Sequence, residues 1–484
     1  MKTLFKRYED LPRQVRASMW FLICSFMQKG ISAISTPIFT RLLSAAEYGE
    51  FNGFLSWESI LRVVLSLNLF YGIYTAGLVK FQERREEFVS ALQGLTATLI
   101  LFWLVTYYLF HAFFNELFSL TTAQMVCLIG QVWTTAIFSF WAAEQRVEYR
   151  YRELVLVTLL VSISKPVIGV LLVTHVSDKV TARIFGLFLV ELIGYGWMFI
   201  FHFKRCSKLF SKFFWKYALR FNIPLIPHYL AQNVLSSSDR IMIIRMVSNE
   251  KAGIYSVAYS ISLIMNIFNT ALTQTTSPWV YQRIKMRKEE DISSIMMPTI
   301  GLIAGVNLLL IFLAPEIVRI FAPKEYYEAI WTIPPVVMSV YFIFLYNVYS
   351  FYEFYFEKTG YIASATITAA ILNIILNLIC IRIFGYIAAG YTTLFCYAVY
   401  AAGHYFAMKK IALDSLDGHE IVPLRHIIIL TVAFMTVGFA VSGLYNYPIA
   451  RYMVLSVFFI LLLGFRKRLL RFVKTLITAR KMSK

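Results

Sequence analysis

Four basic side chains stand inside stretches that are otherwise apolar: Lys29, Arg62, Lys165 and Arg220. Two carboxylates share that setting, Glu58 and Glu191. A charge at the centre of a membrane-spanning helix costs roughly 2.5–3.5 kcal/mol on insertion scales, so each needs a partner, a wet cavity or a function. Cations on the wall of a water-filled cavity can hold an anion, arginine bidentately. Glu58 and Arg62 are also spaced i,i+4 with the acid first, and so can neutralise each other. Lys165, followed by Pro166, can pair with Glu191 from the next segment or act in transport. Arg220 can instead snorkel to headgroups. No nucleophile–base pair, Gly-rich phosphate loop or metal-spaced histidine cluster is present, so neither a catalytic residue, a cofactor nor a metal site is expected.

These charges must be positioned by long apolar elements. Of 484 residues 59% are hydrophobic and only 15% charged, where a soluble chain has about 45–50% and 25%. The sequence reads as an all-α integral membrane protein with about fourteen spans, each needing about 20 apolar residues. They lie near 17–40, 51–77, 90–112, 121–143, 154–175, 182–203, 217–238, 252–277, 294–314, 329–352, 361–381, 386–408, 426–446 and 448–465. The first is too long for a signal-peptide core and reads as a retained helix. The net charge of +19 does not indicate nucleic acid, because the basic residues flank apolar segments and form no domain of their own. With both termini cytoplasmic, the inner loops hold roughly three times the Lys and Arg of the outer ones. No loop on either face has room for a soluble catalytic domain. The five cysteines include no CxxC pair and imply no disulfide framework.

Residues 41–56 (RLLSAAEYGEFNGFLS) and 245–260 (RMVSNEKAGIYSVAYS) align at an offset of 204, matching Arg41 with Arg245, Ser44 with Ser248, Gly49 with Gly253 and Ser56 with Ser260. Each copy leaves the outer end of one helix and enters the next. KFQERREEF (80–88) and IKMRKEEDI (284–292) keep the register. Six spans separate the copies, which predicts a parallel repeat about an axis along the membrane normal. The expected domains are an N-lobe at 1–203, a basic amphipathic cytoplasmic connector at 204–216, a C-lobe at 217–408, two further helices at 409–465 and a basic cytoplasmic tail at 466–484. In the connector Leu209, Phe210, Phe213, Phe214 and Tyr217 share one face and Lys208, Lys212 and Lys216 another, a pattern that lies on anionic membrane lipids.

In FNIPLIPHYLAQN (221–233), Pro224 and Pro227 each remove a backbone donor, which predicts a hinge or a static kink. The polar run Gln232, Asn233, Ser236, Ser237 and Ser238 after them suits a cavity wall with sugar contacts.

Two six-helix lobes, the basic elbow and the Thr-Arg-Leu-Leu-Ser and Glu-Tyr-Gly run (Thr40–Ser44, Glu47–Gly49) resemble the polysaccharide transporter family. That family belongs to the multidrug/oligosaccharidyl-lipid/polysaccharide exporter superfamily. The resemblance implies a flippase for undecaprenyl-diphosphate-linked oligosaccharides in the bacterial inner membrane, serving O-antigen, capsule or exopolysaccharide by alternating access. It also implies a cavity lined mainly by spans 1, 2, 7 and 8, and partners in a polysaccharide polymerase and chain-length machinery. On that basis Lys29, Arg62 and Arg220 are expected to hold the diphosphate, with Gln232 and Asn233 near the sugars. Under the 204 offset Lys29 meets Asn233 and Arg62 meets Asn266, which leaves the cations to the N-lobe. The alternative within the superfamily is a cation-coupled multidrug exporter using Glu58 or Glu191. A membrane polymerase or glycosyltransferase would require a long external loop that the chain lacks. Coupling to an ion gradient, to membrane potential or to glycan consumption stays open.

Overall fold

The computed structural model describes residues 12–464. The tail expected at 466–484 lies outside the described residues. Eighteen α-helices make up nearly all of the described chain, which divides into two compact units between Ile244 and Arg245. The first unit holds α1 (Arg13–Leu42), α2 (Ala45–Ser66), α3 (Ile73–Lys80), α4 (Arg85–Leu109), α5 (His111–Phe118), α6 (Thr122–Val147), α7 (Tyr151–His175), α8 (Lys179–Arg205), α9 (Lys212–Asn222) and nearly all of α10 (Ile226–Met246). The second holds α11 (Asn249–Lys285), α12 (Ile292–Phe312), α13 (Ala314–Phe321), α14 (Ile333–Tyr355), α15 (Thr359–Phe384), α16 (Ala388–Ser415), α17 (Leu424–Gly443) and α18 (Pro448–Gly464).

Every expected segment is mainly helical, two of them interrupted, and ten of the described helices are long and apolar enough to cross a membrane. The other four depart for visible reasons. α2 carries Glu47, Glu50, Glu58 and Arg62; α10 carries Asp239, Arg240 and Arg245; α16 is rich in Gly, Ala and Tyr; α18 is short. Burial is arranged as a bilayer requires. On α7 the side chains of Leu156, Leu160, Ile163, Val167 and Leu171 face outward at helical spacing, and Ile371, Ile375 and Ile379 do so on α15. Water would make such stripes untenable, whereas hydrocarbon is their natural solvent. α14 is buried on nearly all sides and forms the axis of the second unit.

The two copies of the sequence repeat do the same local work. Ser44 accepts from the Glu47 amide at the start of α2, and Glu47 reaches back to the Ser44 amide at 2.7 Å, a capping box. Ser248 accepts from the Lys251 amide at 3.1 Å and opens α11 in the same way. Gly49 and Gly253 are both buried, as are Phe51 and Tyr255. Arg41 donates to the Pro37 carbonyl at 2.7 Å and closes the end of α1.

Two helices expected to be continuous are broken. The segment read as 51–77 stops at Ser66, passes through Leu67 and Asn68 with positive φ, and resumes at Ile73. Asn222, fully buried on α9, donates to the carbonyls of both Leu67 and Asn68 at 3.1 Å. A break away from water is tolerated only when its polar groups are satisfied in this way. The segment read as 217–238 also divides. Pro224 lies in a 3-10 turn (Ile223–Leu225), and Pro227 stands in the first turn of α10, where a missing amide is harmless. The amphipathic connector helix therefore runs to Asn222. It takes in Tyr217 and Arg220, which the sequence had assigned to a spanning helix.

That connector is seated firmly. Phe214 is fully buried against Phe81 and Phe88, with ring centroids at 5.2 and 5.3 Å. Phe210 and Phe213 stay exposed. Trp215 donates to the Ala91 carbonyl at 2.8 Å. The chain at Leu209 runs so close to α4 that a Cβ on Gly94 would stand 2.0 Å from the Leu209 carbonyl oxygen.

Candidate functional site

The charges singled out in the sequence gather in the first unit. Glu58 and Arg62 lie one turn apart on α2 and form a bidentate pair, Nε to Oε1 at 3.0 Å and Nη2 to Oε2 at 2.5 Å. The helix itself sets this geometry, because residues four apart share a face. Lys165 on α7 and Glu191 on α8 meet at 2.6 Å. Thr134 on α6 donates to the other Glu191 oxygen at 2.8 Å. Arg62 also lies within electrostatic reach of Glu191.

Exposure is unequal inside each pair. The Glu58 and Glu191 side chains are 9% and 10% exposed, while those of Arg62 and Lys165 are 34% and 30% exposed. The acids face the packed interior and the cations keep an open side. Each pair is neutral, which meets the requirement that charges in an apolar region be compensated.

Lys29 is half-buried on α1, and its neighbour Gln28 donates to Ser162 on α7 at 3.4 Å. Arg220 is exposed in the last turn of the connector helix. Gln232 is exposed; Asn233 is half-buried and donates to the Tyr229 carbonyl of its own helix at 2.8 Å. Ser237 of the α10 polar run meets α2, and so does Arg240 beyond it. Ser59 donates to Ser237 at 3.1 Å, and Arg240 donates to Ser56 at 3.3 Å.

Several polar residues escaped the sequence reading. Asn222 is one. Another group is Glu144, His202 and Gln93, buried together: His202 Nε2 lies 2.8 Å from Glu144, and its Nδ1 lies 2.5 Å from the Gln93 amide nitrogen. In the second unit Glu353 and His404 meet at 2.7 Å with almost no exposure. Their signal was faint but present. Glu144 and Glu353 each end a long apolar segment with no basic residue three or four positions on. Near the loops of the second unit, Arg451 pairs with Glu316, and Lys251 pairs with Glu328 at 2.5 Å. Among the described residues no cluster of three His, Cys, Asp or Glu could hold a metal ion.

No curated protein sequence matches the chain significantly. Among solved structures, the lipid II flippase MurJ in an inward closed conformation has a TM-score of 0.65 at 14% identity, covering 90% of this chain and all of that one. An inward-facing multidrug resistance MATE family transporter of the MOP superfamily gives 0.61 at 12% identity, covering 80% of this chain and 95% of that one. A MOP superfamily transporter from Pyrococcus furiosus, described as having a binding pocket of reverse polarity, gives 0.54 at 15%, covering 83% and 96%. The chain thus has the fold shared by MurJ and the MATE transporters. The family model described as polysaccharide biosynthesis protein matches residues 15–284, more than half of the chain. The chain belongs to the polysaccharide biosynthesis protein family.

Proposed function

We propose that this protein flips undecaprenyl-diphosphate-linked oligosaccharide repeat units across a bacterial inner membrane by alternating access, for O-antigen, capsule or exopolysaccharide. The observation that carries the reading is the α2–α7–α8 charge group, in which two cations keep an open side above two buried carboxylates. Family membership and the MurJ-like fold support it. When the site is empty the group neutralises itself, so the protein can close around it. When a diphosphate arrives, Arg62 and Lys165 turn from their acids toward the phosphate oxygens, with Lys29 adding a further cation. Bidentate geometry makes Arg62 the principal contact. Arg220 meets the headgroup at the connector, and Gln232 and Asn233 lie on the path of the sugars.

The same proposal has fourteen spans and cytoplasmic termini. Its lobes are 1–203 and 217–408, followed by helices in 409–465, with the connector and the tail resting on anionic lipid. Pro224 and Pro227 serve as the hinge. The polymerase and chain-length machinery receive the product.

Deleting the gene in the source bacterium and extracting lipid-linked oligosaccharides tests the function. Complete repeat units accumulating on their carrier, with surface polymer lost, are expected. Normal surface glycan with raised sensitivity to cationic drugs would replace this reading with the multidrug exporter.

A further inference from the structure

Among the described residues each unit contains one buried carboxylate–imidazole pair, built the same way. A glutamate in the last turn of a long helix meets a histidine on the helix two further along the chain. In the first unit Glu144 of α6 meets His202 of α8; in the second Glu353 of α14 meets His404 of α16. The two pairs differ in how completely they are closed. Around His202 both ring nitrogens have partners, Glu144 on Nε2 and Gln93 on Nδ1, and an amide can serve either tautomer by turning over. Tyr74 and Arg85 lie in the same neighbourhood, and Arg85 is itself tied to Glu148 at 2.9 Å. Around His404 the ring nitrogen Nε2 has no hydrogen-bond partner, nor has Glu353 Oε2, although both atoms are buried. Each such vacancy costs about 1–3 kcal/mol. A purely structural pair would be expected to fill them, as Gln93 does in the first unit.

The surroundings explain what the vacancies can hold. The Tyr346 ring of α14 lies along the His404 ring with centroids at 5.5 Å, and the Tyr400 ring of α16 stands edge-on at 4.6 Å. The Tyr400 hydroxyl is tied to Thr366 of α15 at 2.9 Å. Among the described residues, α11, α12 and α17 place no charged side chain within ion-pair distance of either member, and no Lys or Arg pairs with Glu353. With one proton beyond the neutral-imidazole, ionised-carboxylate state, the pair is neutral. Without it a net negative charge is sealed among aromatic rings, which costs several kcal/mol.

We propose that Glu353 and His404 form a proton-binding site in the second unit, loaded and unloaded as the transporter cycles, while Glu144 and His202 form a closed structural counterpart. This rests on the transporter class alone and not on the identity of the cargo.

Solid-state ¹⁵N spectra of ring-labelled histidine in the full chain, in lipid bilayers, read the proton directly. His404→Asn assigns the signal among the seven histidines. The expected result is a His404 ring that exchanges a proton within a pH series. In Glu353→Gln that exchange should be displaced by at least tenfold in proton concentration, with the His202 signal unchanged. A His404 ring in one protonation state throughout, or an exchange indifferent to Glu353→Gln, overturns the proposal. Should the variant fail to accumulate, the wild-type titration decides by itself.

Discussion

Glu191 shows how little freedom a charged residue has in an apolar setting. Both its oxygens are engaged, by Lys165 at 2.6 Å and Thr134 at 2.8 Å. Glu191→Gln strands the ammonium. The expected cost is about 3 kcal/mol, the low end for a broken buried pair because Lys165 is partly exposed. Thermal unfolding in detergent checks it, and a Lys165→Met, Glu191→Met double variant should recover most of the loss. Arg62→Ala, made together with Glu58→Gln so that no buried carboxylate is stranded, should leave membrane abundance near normal and abolish surface glycan; normal glycan would remove Arg62 from the cargo path. The Lys165–Glu191 pair was legible in the sequence because both residues interrupt apolar runs and need partners. The partner of Glu353 was not, because fifty-one positions separate it from His404 and only the packing of α14 on α16 brings them together. The Lys251–Glu328 pair makes a pH prediction at the loops. Hydrogen bonds from Lys251 at 2.5 Å and from Tyr386 at 3.0 Å hold the Glu328 carboxyl below the usual carboxylate range, with Lys251 the larger cause. A depressed folded value stabilises above the unfolded one, about 4.3, and the contribution fades as pH falls through the folded value. Glu328→Gln should therefore lower stability slightly at pH 7 and bring the two proteins together at the acid end of the melting profile.

At the scale of elements, hydropathy located the helices but not their interruptions. The window over 51–77 stays apolar through Leu67–Gly72, so nothing in composition announces the break; it exists because Asn222 arrives from 155 positions away to satisfy the Leu67 carbonyl. Asn222→Ala should cost about 1–3 kcal/mol by orphaning both carbonyls, more than a surface substitution would. The prolines of 224 and 227 were legible as a disruption, while the direction of the boundary error had a physical cause. Aromatic residues such as Phe213, Phe214 and Tyr217 raise hydropathy equally in a spanning helix and in one lying along an interface. Only the burial of Phe214 beside the exposure of Phe213 separates the cases. If the 3-10 turn is a hinge, Pro224→Ala should slow transport with cargo affinity roughly intact, because it lets α9 and α10 fuse into one stiffer helix. Unchanged rates would leave a static bend.

At the scale of the whole molecule the proposed topology rests on a charge asymmetry that accumulates over many loops, so one wrongly placed helix in mid-chain would erase it. Two features of the described chain bear on it independently. The charged loop after α3 and the one after α11 both contain a 3-10 turn, Gln82–Arg84 and Glu289–Asp291, and both lead directly into the next long helix. An even number of spans separates them in the proposed count, so they must share a face. Labelling decides both points together. In a chain with its five cysteines replaced, Glu86→Cys and Glu290→Cys should each react only with reagents that cross the membrane, while Asp178→Cys, between α7 and α8, should react with impermeant ones. Opposite behaviour of the two acidic loops would require an odd number of crossings between them and undo the six-helix repeat. Reversal of all three positions would keep the repeat but turn the protein over, moving the lysines of the connector to the outer leaflet and away from the anionic lipids of the cytoplasmic one.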